Sequence, residues 1–468
     1  MSAQEQEKIT VAIDAQISAT ASGGTETALL SLISALGSND ISDRFILLGL
    51  KGHHRELEPF MPNGMGKIVW PGSYRWFDPS KDNSGRAASP IKEHSSEGLA
   101  RAIASYINRY RAVGLPMGAR AKRVSRFMGP FRRFAPYAYS LYRGLRDKTS
   151  RPLTRELADS VLAENDVRVV HFPYPLHFET KLPFVYEPWG LPHHHQPDYF
   201  RPGEAEWMDA LFEDGCSKAA MVVTATRWVK ADIIEKYGVH PDKIAVIPRQ
   251  PRFDHANNFM DKQQALVGVP EKFALFPSAA WTTKNHIRLI RAISMLRNEY
   301  GISLNLVCTG RTDTPDFEKI RELIRDQELE DQVVFLGVVP VERLNTLYKC
   351  AQFLVHPSIF EGLGLPLLEA FHNGLPVVAS NAACIPEVVG EGALLFDPFD
   401  ERDIVRALLE VMEKPEKLAD LRTKGAHQLI EGFPSHAKMA MMFDTVYRHA
   451  CNAPLDRHQK SLLAEMLS

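Results

Sequence analysis

Paired cysteines are the first thing this sequence is short of. Its five cysteines, Cys216, Cys308, Cys350, Cys384 and Cys451, stand singly with no C-x-x-C spacing. That pattern excludes a disulfide scaffold or a cysteine-based zinc framework and points to reduced residues in or near a core. No apolar run reaches the length needed to span a bilayer. Residues 1–7, MSAQEQE, lack the features of a secretory signal, so the chain is expected to stay in the cytosol. Internal repeats and sustained heptads are also missing, which excludes a solenoid or a coiled coil. Net charge is nearly absent, at −2. What is present is bulk: 468 residues, 45% of them hydrophobic, enough to bury two cores of ordinary size.

Apolar stretches of strand length alternate with helical stretches, the pattern of parallel α/β sheets. Strands are expected at residues 9–13, 44–48, 167–171, 184–186, 221–224 and 244–247, and again at 273–276, 304–308, 333–335, 353–356 and 377–379. The polar, proline-interrupted stretch 249–258 reads as a linker between two domains, 1–250 and 261–430. Residues 79–98, rich in Ser and charge, read as an insertion. In open α/β sheets, ligands bind beyond the carboxyl ends of strands. Attention therefore falls on the loops there.

The most informative loop is residues 360–370, FEGLGLPLLEA. Pro366 suits the first position of a helix, since its missing N–H would be unpaired there anyway, and Gly374 suits the stop. Gly362 and Gly364 allow close backbone approach, and free N–H groups at the helix start favour a phosphate. Glu361 on the incoming loop and Glu369 one turn into the helix can frame a hydroxyl-rich ligand from two sides. A second loop, residues 276–286, follows a strand and opens a helix. Its Lys284 is the strongest candidate for a fixed cation against a diphosphate leaving group, with no metal required.

The ordered run VVFLG (333–337), HPS (356–358), the 361–369 loop, NGLPVVAS (373–380), IPEV (385–388) and LFDP (395–398) resembles the nucleotide-binding half of retaining glycosyltransferases of the GT-B fold. The specific likeness is to family four, with its bacterial mannosyl-, rhamnosyl- and glucosyltransferases. The resemblance implies two doubly wound, Rossmann-like domains facing a central cleft, and a C-terminal helix in 434–468 crossing back to the first domain. That crossing helix would carry the stripe Met439, Met442, Phe443, Val446 and Tyr447. The resemblance also implies roles by position. Glu369 would hold the ribose hydroxyls, Glu361 with the Gly362, Leu363, Gly364 and Leu365 backbone the donor sugar, and Lys284 the diphosphate. Val338 would touch the base. Gly23 and Gly24, in a loop expected to run into a helix near Thr27, would face the donor phosphates. No cofactor or obligatory metal is implied.

Two departures from the family pattern matter. The arginine usual before the lysine is replaced by small residues, Ser278, Ala279 and Ala280, leaving Lys284 or Arg311 to compensate. The His-Asp pair that usually precedes the Pro-x-Tyr/Phe element, whose histidine touches the transferred sugar, falls on Trp189 and Gly190. Glu187 or one of His193, His194 and His195 would then serve the sugar or acceptor side. A metal on the three adjacent histidines is not expected, because sequence neighbours point in divergent directions.

GDP-mannose is the first choice of donor, with a UDP-hexose or dTDP-rhamnose as alternatives. The acceptor would be a glycan or lipid-linked glycan in cell-surface polysaccharide or lipopolysaccharide synthesis. A sugar-nucleotide epimerase and an inactive scaffold of the same fold are the readings from other classes. Residues 101–151, within a basic helical insertion at about 99–151, hold thirteen Lys and Arg against one acid, Asp147, interleaved with aromatic rings. That composition suits peripheral contact with an anionic membrane on the cytoplasmic face, not nucleic acid.

Overall fold

A computed structural model describes residues 7–15, 24–37, 41–49, 61, 65–69, 155–200, 202–250, 259–314 and 316–468. The basic stretch 101–151, the insertion 79–98, Gly23 and the linker residues 251–258 lie outside them. Two parallel sheets carry the fold. The first consists of β1 (Thr10–Asp14), β2 (Arg44–Gly49), β3 (Gly66–Val69), β4 (Val169–Phe172), β5 (Phe184–Tyr186), β6 (Met221–Thr224) and β7 (Ile244–Val246). Its order is β3-β2-β1-β4-β5-β6-β7. The second holds β8 (Ala274–Pro277), β9 (Leu306–Thr309), β10 (Val333–Phe335), β11 (Phe353–His356), β12 (Val377–Ser380) and β13 (Ala393–Phe396), in the order β10-β9-β8-β11-β12-β13. This is the expected α/β architecture with two doubly wound units.

The central strands are buried along their whole length; β1, β4, β6, β11 and β12 carry no exposed residue. Such strands read as near-continuous apolar runs, with a few buried polar residues such as His171 and His356, because helices cover both sheet faces. The two strands that the sequence pattern did not reveal, β3 and β13, are four-residue edge strands, and β13 is only half-buried.

One face of the first sheet packs on helices Gly24–Gly37, His436–Ala450 and Arg457–Leu467, and the other on Arg155–Glu164, Glu204–Lys218 and Arg227–Tyr237. The stripe Met439, Met442, Phe443, Val446 and Tyr447 thus lies in the core of the first sheet, not the second. Arg448 on the same helix is fully buried and pairs with Asp43 at 2.6 Å. The second sheet is sandwiched between His286–Tyr300, Phe317–Asp326 and Glu401–Glu413 on one side and Val341–Cys350, Leu365–His372 and Ile385–Val389 on the other. The helix after the N-terminal loop begins at Gly24, three residues earlier than expected near Thr27.

Side chains and backbone of the two units meet directly. Glu387 accepts bonds from the backbone N–H groups of Arg227 and Trp228, each at 2.8 Å, so a carboxylate of the second unit caps a helix of the first. The Trp189–Gly190 turn, with φ of 65° and 110°, presses onto the loop before the helix Leu365–His372. A Cβ on Gly190 would sit 3.0 Å from the Phe360 ring, and one on Gly362 would sit 1.9 Å from the Trp189 carbonyl oxygen.

Candidate active-site cleft

Strand ends build the cleft from both sides. β11 ends at His356, and the chain turns through Pro357 and Ser358 into Phe360 and Glu361. Gly364, with φ of 79°, then admits the helix Leu365–His372, where Pro366 stands in the first turn. The helix therefore starts one residue before the proline. At its far end Gly374, with φ of 66°, reverses the chain, and the Gly374 and Leu375 N–H groups bond to the carbonyls of Phe371 and Ala370. On the neighbouring β8, the loop 278–285 ends in Asn285, held in the left-handed region at φ 62°. Its side-chain amide donates to the Pro357 and Pro398 carbonyls at 3.1 and 2.8 Å. A bond from Ile359 N–H to the Thr283 carbonyl, 2.9 Å, ties the two loops together.

Lys284 and Glu361, far apart in sequence, meet there. Lys284 Nζ lies 2.6 Å from Glu361 Oε1, and His356 Nε2 lies 3.0 Å from the same oxygen. Burial pushes the Glu361 carboxyl upward, but the Lys284 ammonium and His356 outweigh it and hold the group well below the usual carboxylate range. Glu361 is therefore ionised and preorganised. Glu369 sits behind it, one turn into the helix, where its Oε2 accepts a bond from the Tyr348 hydroxyl at 2.7 Å. Burial raises its pKa, and the Tyr348 bond opposes that rise.

A cavity of about 370 Å³ lies between the units. The second unit lines it with Ser278, Trp281, Lys284, Arg311, His356 and the 361–366 backbone. From the first unit come Ala28, Glu187, Trp189, Thr224 and Arg249. Of the residues singled out from sequence, the cleft thus brings together Lys284, Glu361, Gly362, Leu363, Gly364, Leu365 and Glu187. Val338 stands outside its lining, exposed after Gly337. Gly24 heads the helix that contributes Ala28. Arg311 reaches the cleft in a two-pronged pair with Asp313, at 2.9 and 3.1 Å. The loop before Lys284 accounts for Gly310, since a Cβ there would lie 2.7 Å from the Ser278 backbone. The two loops touch main chain to main chain.

His193 and His195 do not line the cleft. His195 Nε2 is 2.8 Å from Asp232, and His193 Nε2 is 3.1 Å from the Tyr237 hydroxyl, which donates to Asp209. The expected divergence of neighbouring histidines is corrected as well. The His193 and His194 rings lie 4.7 Å apart, and His194 Nε2 approaches Asp209 at 2.7 Å. The short helix Pro192–His195 lets both rings turn toward the helix Glu204–Lys218. His193, His194 and Asp209 bring their ligand-type atoms within 4.8 Å of one another. Tyr237 engages His193 Nε2, while His193 Nδ1 is buried without a hydrogen-bond partner.

Sequence reasoning gave no site role to two cleft residues, His356, read only within a motif, and Arg249. Arg249 reads as part of a polar linker, yet it is 3% exposed. It pairs with Glu187 and donates to the Ala28 carbonyl at 3.0 Å. Only the apolar strand just before it hinted that it could be carried inward.

Comparison with known proteins points the same way. The family model "Glycosyl transferases group 1" matches residues 259–428, and "Glycosyltransferase Family 4" matches 111–249. The chain is 29% identical over 226 residues to the O-antigen chain mannosyltransferase B of Escherichia coli, covering 46% of this chain and 58% of that one. It is 32% identical over 209 residues to the O-antigen chain mannosyltransferase RfbU of Salmonella typhimurium, covering 45% and 56%. The matched stretch thus spans a little over half the length of these relatives. Among solved structures, the sucrose-phosphate synthase of Thermosynechococcus elongatus superposes with a TM-score of 0.62 at 16% identity, covering 94% of this chain and 98% of that one. HepE of Anabaena, solved in complex with UDP and glucose, gives 0.60 at 15% identity, covering 94% and 99%.

Proposed function

This chain belongs to the family-four glycosyltransferases of the GT-B fold, and from that premise we propose that it transfers mannose from GDP-mannose, with retention, to a glycan or lipid-linked glycan in surface-polysaccharide assembly. The observation that carries the reading is the Lys284–Glu361–His356 cluster beside a glycine-capped helix start in an interdomain cleft. Lys284 and the free N–H groups of the helix Leu365–His372 receive the diphosphate and stabilise the charge that grows on it as the glycosidic bond breaks. Glu361 and the Gly362–Gly364 backbone hold the sugar, and Glu369 takes the ribose hydroxyls. On this reading Val338, exposed just outside the cavity, would meet the base, and Gly24, at the head of the helix that contributes Ala28, would serve the phosphates from the first domain. None of these roles calls for a metal.

Retention is supported by the state of the carboxylates. Glu361 is clamped by Lys284 and His356, and Glu187 by Arg249 and His171. A carboxylate so engaged is a poor nucleophile. That favours attack of the acceptor on the face the diphosphate leaves, with the departing phosphate taking the acceptor proton. The choice of mannose rests on relatives named as O-antigen mannosyltransferases. Among the described residues no helix is long and apolar enough to cross a membrane. The composition of the basic, aromatic-rich stretch 101–151 supports peripheral contact with an anionic membrane that carries a lipid-linked acceptor.

Calorimetric titration of GDP, UDP and dTDP into the native protein and into Glu369→Ala, without added metal, tests the site and the donor together. Tight binding of GDP alone, weakened about tenfold or more by the substitution, is the expected result. Binding of UDP or dTDP in its place would overturn the choice of donor, and binding of none would favour an inactive scaffold.

A further inference from the structure

The two walls of the cleft carry the same kind of cluster on equivalent strands. β4 stands beside β1 as β11 stands beside β8. His356 ends β11 and faces Glu361 at 3.0 Å, with Lys284 as the cation. His171, next to the end of β4, faces Glu187 at 2.7 Å, with Arg249 as the cation. Each wall therefore presents a buried carboxylate clamped between an imidazole and a permanent charge, and both carboxylates border the same cavity.

The cluster on the first wall is supported in greater depth. The Arg249 guanidinium lies 5.0 Å from the Phe443 ring centre and 6.0 Å from that of Trp189, and one of its nitrogens bonds to the Ala28 carbonyl at 3.0 Å. Behind it, Tyr447 Oη lies 2.8 Å from His171 Nδ1. Since Nε2 faces a carboxylate, it carries the imidazole proton, and Nδ1 accepts from the Tyr447 hydroxyl. Tyr447 thus fixes the tautomer that His171 turns toward Glu187. Burial lowers the His171 pKa, Glu187 opposes this and Arg249 adds to it, so the ring stays neutral. Burial would raise Glu187, but Arg249 and His171 lower it, so it stays ionised.

A buried Arg–Glu pair costs desolvation and is weak evidence for stability in itself. Here it borders a cavity whose opposite wall is the proposed diphosphate and sugar site. A ligand anchored by its diphosphate at Lys284 extends its next group into the space bounded by Glu187, Trp189 and Arg249. A carboxylate beside a guanidinium offers an acceptor and donors side by side, which matches adjacent sugar hydroxyls.

We propose that Glu187 and Arg249 form a hydroxyl clamp for the transferred hexose on the first wall, and that His171 and Tyr447 are positioning residues that hold it. The inference rests on the sugar-nucleotide reading above. It assigns Arg249, otherwise a linker residue, to sugar recognition, and it ties the crossing helix to that recognition through Tyr447.

The test compares GDP with GDP-mannose by calorimetry, using a donor excess too brief for turnover, on the native protein, Glu187→Gln, Arg249→Lys and Tyr447→Phe. The readout is the ratio of the two dissociation constants, with a melting curve for each variant. For Glu187→Gln and Arg249→Lys the expected result is GDP affinity within threefold of native, while the preference for GDP-mannose over GDP falls about tenfold or more. Tyr447→Phe, which keeps the ring and loses only the hydroxyl, is expected to lower that preference about threefold with GDP affinity unchanged. If the folded variants keep the native ratio, or lose GDP and GDP-mannose affinity in step, the clamp is refuted and the cluster is structural. If Arg249→Lys fails to fold, the other two variants decide. Absence of nucleotide binding by the native protein would instead overturn the sugar-nucleotide reading, and this inference with it.

Discussion

Gly362 is where the two domains touch main chain to main chain, and replacing it with alanine is a sharp test of whether that contact matters. The residue is outside the left-handed region, so alanine meets no backbone strain of its own. The obstacle is purely steric, a Cβ 1.9 Å from the Trp189 carbonyl oxygen and 3.0 Å from its carbon. Ordinary carbon–oxygen contacts lie at about 3.3 Å or beyond, so the surfaces must part by roughly 1.4 Å. Overpacking of this kind costs about 1–3 kcal/mol, equivalent to about 5- to 150-fold in an equilibrium. The opposing groups belong to different domains, so opening the cleft relieves the clash without unfolding either core. Gly362→Ala is therefore expected to lower kcat/KM for the proposed mannosyl transfer about 5- to 150-fold while GDP affinity, which the proposed reading assigns to the second domain, changes less than threefold and the melting temperature by a few degrees at most. Steady-state kinetics, calorimetry and a thermal melt read the three quantities. A kcat/KM within twofold of native, or a fall in melting temperature that accounts for all lost activity, would refute the reasoning.

Three further outcomes are expected. Lys284→Ala removes the preorganised cation and leaves Glu361 facing only His356, so kcat should fall about 10²- to 10³-fold; a fall of less than fivefold in a donor-turnover assay would remove Lys284 from the chemistry. Glu369→Ala forfeits charged hydrogen bonds worth about 1.5–3 kcal/mol and should weaken GDP binding about 10- to 150-fold, whereas Tyr348→Phe, which removes only the bond to Glu369, should cost less. The third concerns pH. Asp444, pushed up to about 7 by burial and by Asp43 against the pull of Arg448, keeps its proton in the folded chain where the unfolded chain has lost it. Stability should therefore fall as pH rises from about 4 to 7 and level off above. Asp444→Asn should flatten that slope and raise stability at pH 8, and denaturant titrations at pH 5 and pH 8 that show the native slope unchanged in the variant would contradict it.

The parts of the molecule legible in sequence are those whose physics is local. Central strands such as β5 and β8 are apolar throughout because both sheet faces are covered, and Pro366 with Gly374 brackets its helix within a residue. Glu361 and Lys284 could each be nominated from a loop after a strand, although their 2.6 Å meeting spans 77 residues. What could not be read depends on partners from distant segments. Arg249 looks like a solvated linker residue until Ala28, Glu187, Trp189 and Phe443 surround it. His193 and His195 look available for a ligand until Tyr237, Asp209 and Asp232 engage their Nε2 atoms away from the cleft. β3, with Gly66 and Lys67 among its four residues, carries too little apolar signal to be read.

The most direct test of the central claim is the anomer of mannose first released from GDP-mannose, followed by proton NMR before mutarotation, with water as the acceptor. Retaining transfer predicts that the α-anomer appears first and that UDP- and dTDP-linked sugars stay intact. First appearance of the β-anomer would contradict retention, and turnover of a UDP- or dTDP-sugar with GDP-mannose untouched would contradict the donor.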